Sequence, residues 1–136
     1  MKRKVSLILA IILIFMLVFQ TLIFASDIST YNNNTASTST SFRISDVGKA
    51  VVTYSYDGYT GITTGATIKI VIEKRSFLVF WNEVVTDIVI VSGEYYLDEM
   101  VCHLTEKGTY RCTVTYTVSG TAGADDMLTF QDTASW

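Results

Sequence analysis

Apolar and polar side chains alternate along most of the chain after residue 41, with the period of two that is typical of half-buried β-strands. The alternation is clearest over 66–73 and over 110–118. Less regular β-rich runs cover 49–56, 77–84, 87–91, 95–104 and 127–133, and 42–47 is a candidate eighth strand. The pattern predicts about seven antiparallel strands and no helix in this part of the chain.

Short segments rich in Gly, Asp and Ser separate these runs, and the chain contains no proline. Glycine-containing turns fall at Gly58, Gly65, Gly93, Gly108 and within 120–126. Strands that recur about every 8–12 residues, with turn signals between them, favour a two-sheet sandwich. The sequence therefore predicts an all-β, antiparallel two-sheet fold.

The first 25 residues have the layout of a secretory signal peptide. Lys2, Arg3 and Lys4 form a positive segment, an apolar run follows from Val5 to Phe24, and Ala25 precedes a predicted cleavage site. The apolar run is about long enough to span a bilayer as a helix, so an uncleaved leader would tether the protein with its domain outside. We expect a secreted protein after cleavage and a membrane-tethered one without it.

Residues 26–41 are polar, and Ser, Thr and Asn dominate them. Such a segment has too little apolar surface to offset the conformational entropy that is lost on ordering. We therefore expect a flexible spacer over 26–41, followed by a single β-sandwich domain over 42–136.

The exported part of the chain is acidic. After residue 25 there are seven basic and thirteen acidic side chains, for a net charge of −6. An acidic domain without a Lys/Arg cluster does not neutralise phosphates, so we expect no nucleic-acid partner. Anionic membranes are unfavourable partners for the same reason, and contact with a membrane is expected only through the leader if it is uncleaved.

A turn and the strand after it carry a more specific signal. The segment LTEKGTYRC at 104–112 resembles the tyrosine corner of immunoglobulin-like and fibronectin-like sandwiches, where a Tyr near the start of the sixth strand follows a turn. The resemblance implies that Tyr110 is a core residue and that Trp81 is the core tryptophan of such folds. The cysteine positions differ from those of antibody domains, because the core positions of the strand at 66–73 are aliphatic.

Most of residues 66–126 also resemble an uncharacterised family of small proteins secreted by clostridial-type bacteria. The shared features are a leader, a polar spacer, the strand ATIKIVIEK at 66–74, Trp81 and the strand KGTYRCTVTYTV at 107–118. These motifs are structural. The resemblance implies an exported β-sandwich and no particular activity.

The chain has two cysteines, Cys102 and Cys112. Cys102 shares a strand face with Leu104, and Cys112 shares one with Tyr110, so both are expected to face the core. In an exported protein such a pair favours a disulfide, which would contribute roughly 2–3 kcal/mol by closing a short loop. The alternative is two buried free thiols that pack as small apolar groups.

The sequence shows no pattern typical of a catalytic or metal site. His103, the single histidine, directly follows Cys102, and neighbouring side chains of a strand point to opposite faces, so the two are not expected to form a nucleophile–base pair. Two cysteines and one histidine without CxxC spacing do not supply a closed zinc site. Asp125 and Asp126 lie in a glycine-rich loop that lacks the ladder of calcium ligands. We expect no enzymatic activity, no metal and no cofactor.

Tyrosines provide the one candidate ligand site. Tyr54 and Tyr56 share one face of a strand, and Tyr59 follows in the next loop. Exposed tyrosines of this kind form stacking platforms in sugar-binding sandwich modules, whereas the alternative is that the rings fill the core or a sheet edge. The sequence predicts a non-enzymatic binding or surface-interaction module for glycan, cell wall or protein. A secreted antimicrobial or toxin-like protein is the alternative.

Overall fold

The computed structural model describes residues 32–77 and 79–136, and the predicted signal peptide lies outside these ranges. The described residues form seven strands: β1 Thr35–Ile44, β2 Lys49–Gly58, β3 Thr63–Ser76, β4 Phe80–Ser92, β5 Tyr95–His103, β6 Thr109–Gly120 and β7 Asp126–Ser135. Within the described ranges, no helix has the length and apolar character needed to cross a membrane.

All strand pairs are antiparallel, and they form two sheets. One sheet has three strands in the order β1-β2-β5, and the other has four in the order β4-β3-β6-β7. The sheets meet along one side, where β1 contacts β7, and β4 and β5 are the edge strands on the other side. The predicted all-β fold of seven antiparallel strands in two sheets is therefore confirmed.

Alternating side chains of the central strands fill the space between the sheets. In β3, Ile68, Ile70 and Ile72 are fully buried. The core side chains of β6 are Tyr110, Cys112, Val114, Tyr116 and Val118, and those of β2 are Ala50, Val52, Tyr54 and Tyr56. Each large apolar side chain removed from water contributes about 1.5–3 kcal/mol, so this layer supplies most of the driving force for folding.

β1 begins at Thr35, so residues 35–41 of the predicted flexible spacer form a strand instead. Hydroxyl groups hold this strand against the opposite sheet. The Tyr116 hydroxyl donates to the Ser39 carbonyl at 2.9 Å and lies 2.5 Å from the Thr40 hydroxyl. Because Ser and Thr occupy both faces, β1 lacks the apolar alternation from which a strand is predicted.

β4 is one continuous strand, whereas the sequence predicts two runs at 77–84 and 87–91. Ile72 of β3 pairs with Val85, but the next residue, Glu73, pairs with Glu83, so Val84 is an extra residue in β4. Such a bulge reverses the face of every side chain beyond it. The alternation is therefore interrupted inside a single strand.

Candidate functional site

Three turns meet at one end of the sandwich, which we call the hairpin end. They are the β1–β2 turn at 45–48, the β3–β4 turn after Ser76 and the β5–β6 turn at 104–108. The Leu104 amide donates to the Gly48 carbonyl at 2.9 Å and so joins the first turn to the third. β1 begins at the opposite end, beside the β2–β3 and β6–β7 loops.

The β3–β4 turn exposes a cluster of apolar side chains, which we call the apolar tip: Phe77, Val79 and Phe80, 81%, 71% and 64% exposed. The pairing of β3 with β6 ends at Lys74, whereas β3 stays paired with β4 up to Ser76. At roughly 3.3 Å per strand residue, the turn projects about 10 Å beyond the end of β6. Clustered exposed apolar side chains on a protein surface mark contact sites.

Phe77 has a φ of 23°, the one positive φ among the described residues other than glycine. The Val79 and Phe80 amides close the turn by donating to the Phe77 carbonyl at 2.6 and 3.2 Å. A bulky residue with positive φ is strained, and glycine would relieve the strain. An aromatic ring thus occupies a position where the backbone favours glycine, which is consistent with a contact role for the ring.

A cation–aromatic stack lies directly behind the apolar tip. The Arg111 guanidinium lies 4.5 Å from the centroid of the Trp81 ring, and its Nε donates to the Glu73 carboxylate at 2.8 Å. Trp81 pairs with Arg75 on the outer face of the four-stranded sheet, so the prediction that Trp81 is the core tryptophan is wrong. The bulge at Val84 is the reason, because it moves Trp81 from the inner to the outer face.

A groove of about 450 Å³ lies beside the hairpin, between β3, β4 and the β5–β6 turn. Its lining includes Lys74, Asn82, His103 and Glu106. The Lys74 ammonium donates to the Glu106 carboxylate, and this hydrogen bond raises the pKa of Lys74 and lowers the pKa of Glu106. Lys74 and Glu106 neutralise each other. The rest of the lining includes both polar and apolar side chains, among them Val84 and Leu104.

Tyr110 is 2% exposed, and its hydroxyl donates to the Glu106 carbonyl, four residues earlier. This hydrogen bond reaches back across the β5–β6 turn, and the burial of Tyr110 agrees with the core position that the tyrosine-corner resemblance implies. Gly108 exchanges two backbone hydrogen bonds with Trp136, at 2.9 and 3.1 Å. Together these contacts fix the turn that forms one wall of the groove.

The tyrosines predicted to form a ligand platform do not form one. Tyr54 and Tyr56 are 2% and 1% exposed, because β2 is the central strand of its sheet and the other sheet covers its inner face. Tyr59 is 41% exposed and lies in the β2–β3 loop, at the end opposite the hairpin. Tyr54 and Tyr56 instead pack in the core, which is the alternative stated in the sequence analysis.

Tyr54 contributes to a polar cluster near the two edge strands. Its ring centroid lies 6.3 Å from that of Tyr96, whose hydroxyl donates to the Asp98 carboxylate at 2.8 Å. Burial, and then the charge of Asp98, raise the pKa of Tyr54 to about 12. The Tyr54 hydroxyl therefore stays protonated at neutral pH and acts as a neutral polar group of the core.

Both cysteines are free thiols in the structure and do not lie at disulfide distance from each other, so the predicted disulfide is not shown. Cys112 is fully buried, and burial, then the charge of Asp132, then Cys102, raise the pKa of Cys112 to about 12. Burial also raises the pKa of Cys102, which packs against the same core. At neutral pH, both groups are therefore neutral thiols and poor nucleophiles.

His103 is exposed and lines the groove, whereas Cys102 packs against the core. Over residues 32–77 and 79–136, no group of three or more His, Cys, Asp or Glu side chains has an arrangement suited to a metal ion. Asp126 is buried, and its carboxylate accepts the backbone amides of Asn33 and Asn34. This carboxylate is structural rather than a solvated turn residue.

The apolar tip is the feature that the sequence pattern does not reveal, because the run at 77–84 predicts an ordinary strand. One signal for it is present. Five consecutive apolar residues, from Phe77 to Trp81, follow the polar segment Lys74 to Ser76. A half-buried strand with a period of two does not need such a run of apolar residues, so the run distinguishes this segment from an ordinary strand.

Comparison with known proteins gives no match, whether with protein-family models, with curated proteins or with solved structures. The surface of the domain itself is therefore the guide to its function. The apolar tip, the stack behind it and the groove beside it are the main features of that surface at the hairpin end.

Proposed function

We propose that this protein is a secreted, non-enzymatic binding module that docks on a cell surface through its hairpin end. The observation that carries the proposal is the exposure of Phe77, Val79 and Phe80 on a projecting turn. Removing such a side chain from water contributes about 1.5–3 kcal/mol when it is fully buried. Burial of the apolar tip therefore contributes favourably to docking.

Contacts that brace the hairpin support this role. Arg111 stacks on Trp81 and is held by Glu73 on the neighbouring strand. In the turn, the Val79 and Phe80 amides donate to the Phe77 carbonyl. A preorganised projection loses little conformational entropy on binding, so more of the apolar free energy is available for affinity.

The ionisable groups of the hairpin end support binding rather than catalysis. Cys112 is buried with its pKa raised to about 12. Lys74 and Glu106 neutralise each other in the groove, and His103 lies on the strand face opposite Cys102. A nucleophilic site needs an accessible group activated by a neighbouring base, and these residues do not provide that arrangement.

We infer that the sandwich is immunoglobulin-like and related to the secreted clostridial-type proteins that share its strand motifs. The orders β1-β2-β5 and β4-β3-β6-β7 support this inference, as does the hydrogen bond from Tyr110 to Glu106. In sandwiches of this class, the turns vary in sequence while the strands form a constant scaffold that positions them. A function carried by one turn is consistent with that architecture.

We further propose that residues 1–25 direct export, with a membrane-tethered protein as the alternative, and that Cys102 and Cys112 form a disulfide in the oxidising environment outside the cell. The intact mass of protein recovered from culture medium tests both points. A chain that begins at Ser26 and lacks two hydrogens supports them. Full-length protein found only in membranes would contradict cleavage, and two free thiols in the secreted chain would contradict the bridge.

Sedimentation with whole bacterial cells tests the docking proposal. We expect the double variant Phe77→Ser/Phe80→Ser to bind at least about tenfold more weakly than the unchanged protein. The matched control is Ile88→Ser/Ile90→Ser, which removes two apolar side chains, 56% and 78% exposed, from the outer face of β4. This control should bind normally, and equal binding by both variants would overturn the proposal.

A secreted antimicrobial or toxin-like protein is the second candidate function, because a stiff hairpin with an exposed apolar tip also suits an attack on the membrane of another cell. Growth inhibition of a panel of bacteria by the purified protein tests it. Inhibition that disappears in Phe77→Ser/Phe80→Ser would favour this candidate. Cell binding without inhibition would favour the docking module.

A further inference from the structure

We propose that the partner of the apolar tip is a phospholipid bilayer, into whose interfacial layer Phe77, Val79 and Phe80 insert. The inference rests on the proposed function, since it names the partner of the same hairpin end.

The shape of the tip favours a bilayer over a folded protein or a glycan. A specific protein interface buries about 800 Å² on each partner, over roughly 20–30 residues. The described residues of the tip instead present three exposed side chains on a projecting turn. Such a projection needs no complementary pocket in a bilayer. Phe and Val also lack the hydrogen-bonding groups with which a binding site orients a sugar.

Along the β3–β4 hairpin, the side chains are apolar at the turn and become amphipathic or cationic farther from it. Phe77 and Phe80 are exposed at the turn, and Trp81 follows with Arg75 as its cross-strand partner. At roughly 3.3 Å per residue, Trp81 and Arg75 lie about 5–7 Å behind the turn. Tryptophan and basic side chains are enriched at this depth, where a protein meets lipid headgroups.

The acidic excess of the chain does not extend to the hairpin end. Basic and acidic side chains are equal in number at the hairpin end: Lys49, Lys74, Arg75, Lys107 and Arg111 against Asp46, Glu73, Glu83, Glu106 and Asp132. Two of these carboxylates are paired, Glu73 with Arg111 and Glu106 with Lys74.

Acidic side chains predominate toward the opposite end of the sandwich. The described residues there carry Asp57, Asp87, Glu94, Asp98, Asp125 and Asp126, with Lys69 as the basic residue among them. An anionic bilayer repels that end and not the tip, so the domain approaches lipid with its hairpin first. The hairpin end can therefore approach anionic lipid although the net charge is −6.

Quenching of tryptophan fluorescence by brominated phospholipids tests the proposal. Bromine on the acyl chains quenches tryptophans that enter the bilayer, and both tryptophans, Trp81 and Trp136, lie at the hairpin end. Protein recovered from culture medium is mixed with vesicles of brominated phosphatidylcholine, alone or in an equimolar mixture with brominated phosphatidylglycerol. We expect quenching by both kinds of vesicle.

Variants assign the quenching to the tip. Phe77→Ser/Phe80→Ser should weaken the apparent affinity for vesicles at least about tenfold, whereas Ile88→Ser/Ile90→Ser should leave it nearly unchanged. Urea unfolding of each variant shows that it is folded, and Phe77→Gly replaces the double variant if that one is unstable. Absence of quenching by both kinds of vesicle, or equal quenching of the tip variant and the unchanged protein, would overturn the lipid proposal.

The two binding experiments separate this inference from the proposed function. Binding to whole cells that depends on the tip, without quenching on vesicles, would keep the hairpin end as a docking site and assign its partner to a surface protein or glycan. Quenching on pure lipid that depends on the tip supports both proposals. Loss of tip dependence in both experiments would overturn both.

Discussion

The carboxylate of Asp126 accepts the backbone amide of Asn34 at 2.7 Å, across 92 residues of sequence. Its other oxygen accepts the Asn33 amide at 2.9 Å, so the first residue of β7 holds the start of β1. Burial alone would raise the pKa of Asp126, but the hydrogen bonds from Asn33, Asn34 and Thr35 outweigh burial and lower that pKa. This contact fastens the end of the sandwich opposite the hairpin.

We expect Asp126 to make folding sensitive to acid. Because its pKa is lower in the folded than in the unfolded protein, its stabilisation is complete above about pH 4 and is lost as the pH falls through the folded pKa. Asp126→Asn should lower the free energy of unfolding at neutral pH by about 1–3 kcal/mol. It should also flatten the decline of stability in acid, as measured by urea unfolding at a series of pH values.

Asp125→Asn is the matched control, since Asp125 is exposed in the β6–β7 loop. This variant should keep the stability and the acid response of the unchanged protein. Equal flattening of the acid response in both variants would contradict the role assigned to Asp126.

β1 should loosen when the Tyr116 hydroxyl is removed. Tyr116→Phe leaves the Ser39 carbonyl and the Thr40 hydroxyl without their cross-sheet partner, at a cost of about 1–2 kcal/mol. Hydrogen exchange should accelerate at the amides of β1 more than at those of β3. An equal acceleration in both strands would mean that the hydroxyl supports the whole fold rather than this edge.

The core is the part of the structure that the sequence predicts well. Ile68, Ile70 and Ile72 alternate with less buried residues along β3, and all three are fully buried. β6 follows the same pattern from Tyr110 to Val118. A central strand with one face in the core and the other toward solvent must alternate, so its local pattern contains the information that fixes its orientation.

β1, Trp81 and the apolar tip depend on information that is not local. β1 packs through hydroxyl groups, which leave no apolar period to detect. The face of Trp81 depends on the extra residue Val84, whose position follows from the pairing of β4 with β3. The tip exists because β3 and β4 extend past β6, a relation between strands that the hairpin sequence alone does not contain.

The Cys112 thiol should be unreactive in the folded, reduced protein. Burial, and then the charge of Asp132, raise its pKa to about 12, so very little thiolate is present at neutral pH. Alkylation by iodoacetamide should be at least about 100-fold slower than in the urea-unfolded chain and should accelerate as the pH rises toward that pKa. Mass spectrometry of the labelled peptides measures both rates, and equal rates would contradict the burial of this thiol.

The edge strands β4 and β5 each carry a carboxylate among their inner positions. Asp87 pairs with Ile70, and Asp98 pairs with Tyr54. The side chains of Ile70 and Tyr54 are buried, so both aspartates occupy inner positions of their strands. Inward-pointing charges on edge strands prevent pairing with a second copy. Asp87→Val/Asp98→Val should therefore self-associate in sedimentation velocity experiments, whereas Asp125→Val should behave like the unchanged protein. An unchanged sedimentation coefficient for the double variant would refute this role.

Phe77→Gly should separate the stability of the β3–β4 turn from its binding function. Glycine adopts a positive φ without the strain that Phe77 bears at 23°, so the free energy of unfolding should stay within about 1 kcal/mol of the original value or rise. Binding to cells and vesicles should fall because an exposed ring is lost. Val79→Ser is the comparison: it removes an exposed tip side chain without relieving strain at Phe77, so it should weaken binding without a gain in stability. If Phe77→Gly instead lowered the free energy of unfolding by more than about 2 kcal/mol, the ring would belong to the packing of the fold, and its exposure would carry no argument for docking.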